Sequence, residues 1–358
     1  MTANEVCESI IKGLKKHVHS HEIIAHPLAD GGDGSIDILA NYLPLSIVNC
    51  STTDPLGRKI PAHYYLSEKT AFIELAVASG LTLLAPKEQN PMNTSTIGTG
   101  ELIKDAIEKG AKSIYLFVGG SATNDGGMGL SHALGYRFLD KKGLVLLPIG
   151  KNLSQVNQID DSLVQIDFTK VRITLLNDVS NPLLGRNGAA YTYAPQKGAS
   201  PQEIRLLDQD MKHFATFLCK QYGLHTANLN GAAGGVSACL VGLLNAQTQS
   251  GVKKIMEWTC FEQQLLKADL VISGEGQLDA QSLSGKVVGE VAKLAQKNNK
   301  PLLLLVGSYA LTSTELQAIH AKKIISIMDV AKSLDDAVEN GAVYLEQLAG
   351  GIYLSKFE

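Results

Sequence analysis

The sequence predicts an α/β protein in which a discontinuous, doubly wound parallel sheet carries an inserted mixed α/β domain. Three observations lead there. Beyond about residue 235, unbroken apolar runs at 270–272, 302–306 and 324–327 alternate with helical patterns, as strands buried on both faces require. The middle of the chain instead has a helix over 36–42 followed by three strand-like runs near 45–53, 59–66 and 71–77. A length of 358 residues exceeds one average domain and points to two. The expected boundaries are 1–31 with 235–358 for the doubly wound domain and 32–234 for the insert.

The first element is a helix. Thr2 and Glu5 match the reciprocal cap [ST]-x-x-[DE], and Val6, Ile10, Ile11 and Leu14 supply its apolar face. A strand over 22–26 is expected next. A βα unit would place a strand ahead of this first helix, and the sequence opens without one. Between the runs at 45–53 and 59–66, Asp54-Pro55-Leu56-Gly57 has the preferences of a type I turn. The apolar run 114–118 reads as a strand leading into the glycine-rich loop 119–127, after which Leu130, Ala133 and Leu134 mark a helix closed by Gly135.

Ser200 with Glu203 caps a further helix, with Pro201 at its first position and one stripe of Ile204, Leu207, Met211, Phe214 and Leu218. The uncharged run 228–252 contains Gly231, Gly234 and Gly235, which suits a buried, closely packed helix better than a membrane span. Thr312 with Glu315 and Ser333 with Asp336 mark two later helix starts.

Composition narrows the function. With 45% hydrophobic and 19% charged residues and a net charge of −3, the chain has no electrostatic footprint for nucleic acid or an anionic membrane. No basic, apolar, small-residue segment opens it, so no signal peptide is expected and a cytoplasmic location is. Cys7, Cys50, Cys219, Cys239 and Cys260 form no CxxC pair, which predicts free, buried thiols in a reducing compartment and no structural zinc. His17, His19, His21 and His26 fall between a helix and a strand, where solvated polar residues are expected rather than a metal site.

Four strand ends carry the candidate chemistry. "HPLADGGDGS" delivers Asp30 and Asp33, and the loop 119–127 delivers Ser121, Thr123, Asn124 and Asp125. "ITLLNDVSNPLLGRNG" places Asn177, Asp178 and Arg186, while "VISGEGQLDAQSLSGK" places Glu275, Asp279, Ser282, Ser284 and Lys286. In open α/β sheets ligands bind at the carboxyl ends of strands. Glycine loops let N–H groups approach phosphate oxygens, and carboxylates beside phosphates imply Mg²⁺ between them. Phosphoryl transfer uses all these parts, with one carboxylate taking the hydroxyl proton and a lysine neutralising the phosphoryl group.

Plainer readings stand beside this one. An Asp in a glycine loop serves a turn or cap, as Asp125 would at a helix start. Lys286 reads as a solvated side chain, although its charge is wrong for the start of a helix and suggests an anion nearby. No GxxxxGK[ST] or GxGxxG motif is present. Gly119-Gly120-Ser121 approaches a nucleophile elbow, but Thr123 stands where GxSxG needs glycine.

"PLADGGDGS", "DPLGR", "NTSTIGTGEL", "GGSATNDGG", "NDVSNPLLG", "PQKGAS", "GAAGG" and "SGEGQLDAQSLSGK", in this order, resemble the bacterial glycerate kinase family over essentially the whole chain. The resemblance implies ATP- and Mg²⁺-dependent phosphorylation of D-glycerate, with O2 favoured. It also implies a discontinuous flavodoxin-like domain, an inserted domain and a site in the cleft between them. On that footing Asp178 is the expected base and Lys286 the neutralising cation. Asp30, Asp33, Glu275 and Asp279 are the metal candidates. Gly119, Gly120, Gly126, Gly127, Gly274, Gly276 and Ser284 are expected to meet phosphate, and Ser121, Asn124 and Asp125 to meet glycerate. Arg186 or Arg58 would hold the substrate carboxylate, with Lys197 as a further anion contact. The family pattern begins with a strand and an Asp-Ser-Phe-Lys-Gly-like loop that this sequence lacks. A weak, ligand-binding member is therefore the alternative expectation, and a hydrolase using Ser121 the remote one.

Overall fold

A computed structural model describes residues 1–16, 22–32, 34–280, 282–283 and 285–352. His17, His19, His21, Asp33 and Ser284 lie outside the described residues. The chain divides into two compact units, one formed by 1–30 with 252 onward and the other by 31–251.

The first unit opens with α1 (Ala3–Leu14), whose capping box forms as the sequence predicts: Thr2 N–H donates to Glu5 Oε2 at 2.7 Å and Glu5 N–H to Thr2 Oγ1 at 3.2 Å. The chain then enters the second unit. Its six-stranded sheet follows sequence order: β1 (Ser46–Thr53), β2 (Lys59–Ser67), β3 (Thr70–Glu74), β4 (Ser113–Phe117), β5 (Arg172–Leu176) and β6 (Gln247–Gln249). β1, β2 and β3 pair antiparallel, and β3 to β6 pair parallel. The β1–β2 hairpin turns at Asp54, whose carbonyl accepts Gly57 N–H at 2.9 Å, while Oδ1 accepts Leu56 and Arg58 N–H.

Helices α2 (Ile97–Glu108), α3 (Met128–Ala133), α4 (Pro201–Tyr222) and α5 (Ser237–Leu244) belong to this unit. On α4 the predicted stripe buries Leu207, Met211, Phe214 and Leu218, and Gly223 ends the helix in the left-handed region. The boundary expected near 235 falls after Gly251 instead. The reason is that α5 packs into the same core as β4 and β5, and β6 extends their sheet.

Returning to the first unit, β7 (Val271–Ser273), β8 (Leu302–Val306) and β9 (Lys323–Ser326) make a parallel sheet in the order β9-β8-β7. Helices α6 (Val287–Lys297) and α7 (Gly341–Gly350) complete the elements used below. The central strand β8 is buried throughout and splits its side chains between two cores. Leu302, Leu304 and Val306 join Val288, Val291 and Ala295 of α6. Leu303 and Leu305 join Leu14 of α1 with Leu345 and Ala349 of α7. Period-two alternation with a helix layer on each face is what doubly wound means in side-chain terms. α1 approaches α7 closely because position 13 is glycine: a Cβ there would stand 2.2 Å from the Glu346 carbonyl oxygen.

The strand expected over 22–26 does not form. Residues 22–28, α1 and β7 together line a cavity of about 1220 Å³, so this segment has no adjoining strand to pair with. The cysteines are free as expected, but only Cys239 is buried and Cys260 is exposed. No described helix is long and apolar enough to cross a membrane.

Candidate active site

In the second unit the parallel strands β3 to β6 bring their carboxyl ends to one sheet edge. There stand Glu74 at the end of β3, Gly119 and Gly120 after β4, Asn177 and Asp178 after β5, and Ser250 after β6. Ser250 Oγ donates to Asp178 Oδ1 at 2.6 Å, and Asn177 N–H reaches the Gln249 carbonyl at 2.9 Å. Gly31, at φ +83°, passes so close that a Cβ would sit 3.6 Å from Asp178 Oδ2 and 3.2 Å from Gly251 Cα. Glu74 Oε1 accepts the Ile36 N–H at 3.2 Å, holding the short helix that follows this loop. Sequence reasoning missed both Glu74 and Ser250. Their only sequence signal is a polar residue directly after an apolar or paired run.

Asn177 and Asn181 are structural. Asn177 bonds across to Val179 in both directions, and Asn181 bonds to the Asn187 carbonyl and the Tyr193 hydroxyl. Of the two arginines, Arg58 gives its Nε to Asp54 and its terminal nitrogens to Glu88. That guanidinium, expected as one of two holders of the substrate carboxylate, is bonded at the hairpin turn. Arg186 is exposed and makes no hydrogen bond or ion pair with a described residue. Its loop is anchored where Gly185 N–H donates to Asp208 Oδ1 at 2.8 Å.

The glycine loop is mostly interior. Gly119 is half-buried and Gly120 exposed, but every residue from 121 to 130 is buried. Gly126 N–H donates to the Gly234 carbonyl and Gly127 N–H to Asp125 Oδ1, both at 3.1 Å. The N–H donors of Gly126 and Gly127, expected at phosphate, are thus taken by the protein itself. The segment 231–235 packs directly on this loop, since a Cβ at Gly234 would lie 2.1 Å from the Thr123 carbonyl oxygen. Asp125, expected at the substrate, is fully buried and accepts from Thr96 N–H and hydroxyl and from Gly127 and Gly129 N–H. Burial pushes its carboxyl up, against the pull of those donors. It is the cap and brace of the loop.

Lys197, expected as an anion contact, is also interior, at 2% exposure. Its Nζ donates to Ser121 Oγ and to the Thr123 carbonyl, each at 2.8 Å. Burial lowers its pKa to about 7, opposed by the charge of Asp125. Asn124 is fully buried, and neither amide atom has a hydrogen-bond partner among the described residues.

The first unit holds the other residues. β7 runs into Gly274, Glu275 and Gly276, and Gly274 is required because a Cβ would meet the Leu305 carbonyl oxygen of β8 at 1.8 Å. Gly276 is exposed, with open space where a side chain would be. Glu275 is half-buried, with a buried Oε1 that has no hydrogen-bond partner among the described residues. Burial pushes its carboxyl up, Ser282 and Lys286 pull it down, and Asp279 and Asp30 push it up again. Asp279 and Ser282 cap each other across one turn, and Lys286 stands at the N-cap of α6. Among the described residues no three His, Cys, Asp or Glu side chains group closely enough to hold a metal ion. His26 instead packs edge-to-face on Phe261, with ring centres 5.2 Å apart.

A parallel α/β scaffold with acidic and glycine-rich strand ends defines a class of small-molecule enzymes. Comparison with known proteins narrows that class. Residues 1–355 match the model of the glycerate kinase family. Glycerate kinase of Bacillus cereus is 37% identical over 360 residues, covering 98% of this chain and 93% of the relative. Glycerate 2-kinase of Escherichia coli K12 is 36% identical over 338 residues, covering 93% and 88%. A solved structure described as glycerate kinase 2 from Salmonella typhimurium LT2 superposes with a TM-score of 0.80 at 35% identity, over 98% of this chain and 93% of that one. The chain belongs to the glycerate kinase family.

Proposed function

We propose that this protein transfers the γ-phosphoryl group of ATP to a hydroxyl of D-glycerate, giving ADP and a phosphoglycerate, with O2 the favoured acceptor. The family match across the whole chain is the observation that carries this reading. The hydroxyl oxygen forms a bond to γ-phosphorus as the bond to the bridging oxygen of ADP breaks, and the hydroxyl proton passes to the Asp178 carboxylate. Ser250 fixes that carboxylate by bonding to Oδ1. Arg186 has an uncommitted planar fork suited to the substrate carboxylate. Gly119, Gly120, Gly274 and Gly276 are the glycines left to approach phosphate, and Lys286 the cation left to neutralise it.

Mg²⁺ would draw its protein ligands from Glu275, Asp279 and Asp30. The buried, unpartnered Oε1 of Glu275 fits a cation, and Mg²⁺ needs only one or two carboxylates when phosphate and water fill the rest. When bound, the ion supplies charge neutralisation to the phosphates. The test is a coupled ADP-release assay with D-glycerate, ATP and Mg²⁺, and with L-glycerate as control. Stereospecific release supports the kinase, and release indifferent to glycerate counts against it.

One observation favours a second reading. Ser121 and Lys197 lie 2.8 Å apart, a spacing at which a neutral lysine could activate a serine nucleophile. Hydrolysis of a chromogenic ester that is lost in Ser121→Ala would support it. A protein that spares such esters while phosphorylating glycerate leaves the kinase alone.

A further inference from the structure

Ser121 has an orphaned proton. Its Oγ accepts a hydrogen bond from Lys197 Nζ at 2.8 Å, and no described residue accepts from its hydroxyl. In its ammonium form, which burial confines to below about pH 7, Lys197 has three donors and no lone pair, so nitrogen donates and oxygen accepts. The second bond, from Nζ to the Thr123 carbonyl at 2.8 Å, pins the ammonium within the same loop. Lys197 is 2% exposed and Ser121 7%, while neighbouring Gly120 is exposed at the carboxyl-end edge of the sheet. In that form the hydroxyl hydrogen has no acceptor among the described residues, and Ser121 directly follows the exposed Gly120.

We propose that Lys197 is a positioning residue that makes Ser121 a hydrogen-bond donor to an anionic oxygen of the ligand, either the carboxylate of the acid substrate or a phosphoryl oxygen of the nucleotide. This rests on the kinase reading for the identity of the two ligands, though not for the geometry. Lys197 itself touches neither ligand; it acts by occupying one of the two serine lone pairs and by placing a positive charge beside the hydroxyl, which strengthens the bond the hydroxyl donates. A serine left alone at that position could spend its proton on a neighbouring carbonyl. With the ammonium in place, the alternative partner on that side is a cation.

Calorimetric titration of the full chain at pH 6, where Lys197 is an ammonium, with D-glycerate and, separately, with ADP tests the idea without requiring turnover. The proteins are wild type, Ser121→Ala, Ser121→Thr, Lys197→Met and the Ser121→Ala/Lys197→Met double variant, with kcat measured alongside. Ser121→Ala is expected to weaken one of the two ligands by about ten- to a hundredfold, the span of a lost bond to a charged group, and to leave the other unchanged. Ser121→Thr, which keeps the hydroxyl, should restore most of the loss. Lys197→Met should weaken the same ligand, and the double variant should bind no worse than the weaker single one, because both changes remove one O–H bond. A loss confined to glycerate assigns the carboxylate, and one confined to ADP assigns the phosphate. The proposal is overturned if Ser121→Ala binds both ligands as wild type does, if the two single losses add, or if the wild type binds neither. Should Lys197→Met fail to unfold cooperatively, the Ala–Thr contrast at position 121 still decides. A wild type that binds both ligands but releases no ADP would sink the kinase reading and leave this one standing.

Discussion

Ser250 holds Asp178 by a 2.6 Å hydrogen bond, joining the loops that follow two neighbouring parallel strands. If Asp178 takes the acceptor proton, Asp178→Asn should lower kcat by about two to four orders of magnitude with little change in melting temperature. Ser250→Ala should lower it by about fivefold, the worth of one orienting bond. Steady-state kinetics with D-glycerate checks both, and an Asn variant with wild-type turnover would move the base elsewhere.

The two arginines should separate cleanly. Arg186→Ala is expected to raise KM for glycerate by about tenfold or more while stability holds, because its guanidinium has no described partner to lose. Arg58→Ala should do the reverse, lowering the melting temperature by loosening the Asp54 turn and leaving KM alone. Equal effects on KM would refute the division.

The glycines also divide. At Gly234, φ is +69° and a Cβ would stand 2.1 Å from the Thr123 carbonyl oxygen. Gly57 has φ +83° but nothing within 4 Å. Gly57→Ala should therefore cost only the left-handed backbone penalty, roughly 1 kcal/mol. Gly234→Ala adds a clash with rigid backbone and should cost roughly 2–4 kcal/mol. Urea unfolding of the two variants gives the comparison, and similar midpoints would mean that the 231–235 segment has room to move.

Lys197 makes stability depend on pH in an uncommon sense. Burial lowers its pKa to about 7, against the 10.5 of a free lysine. Between those values the unfolded chain holds a proton that the folded chain has released, so stability rises with pH at up to ~1.4 kcal/mol per unit. Below about 7 both states are protonated and the cost of the buried charge is fully present. Relative to Lys197→Met, the wild type should gain stability between about pH 7 and about pH 10. Urea midpoints that keep a constant separation across that range would show that the ammonium persists in the fold.

The sequence was most legible where local chemistry decides. The reciprocal caps at Thr2, Ser200 and Thr312 and the turn at Asp54 appear where the residues demand them. The apolar run 302–306 is a strand over the same residues. Legibility failed where a partner in space decides. The run at 22–26 has strand character but no ladder, because pairing depends on a neighbour that residue types cannot announce. The glycines 126 and 127 look like a phosphate cradle, and whether they face a ligand or another backbone depends on where the 231–235 segment packs. Asp125 and Lys197 suffer the same ambiguity, since a buried charge and a functional one are written with the same letter.

Because α1 lies against α7, with Gly13 under the Glu346 carbonyl, the unit they share is assembled from stretches on either side of residues 31–251. During synthesis the ribosome releases residues 31–251 as one continuous stretch, able to fold as soon as it emerges. The amphipathic α1 must wait, its apolar face uncovered, until residues 341–350 exist to receive it. Prior folding of the intervening stretch shortens that wait in entropic terms, because it draws the two ends of a long loop together before they must meet. The order of events at birth is thus built into the wiring of the chain: the insert matures first, and the host domain closes last.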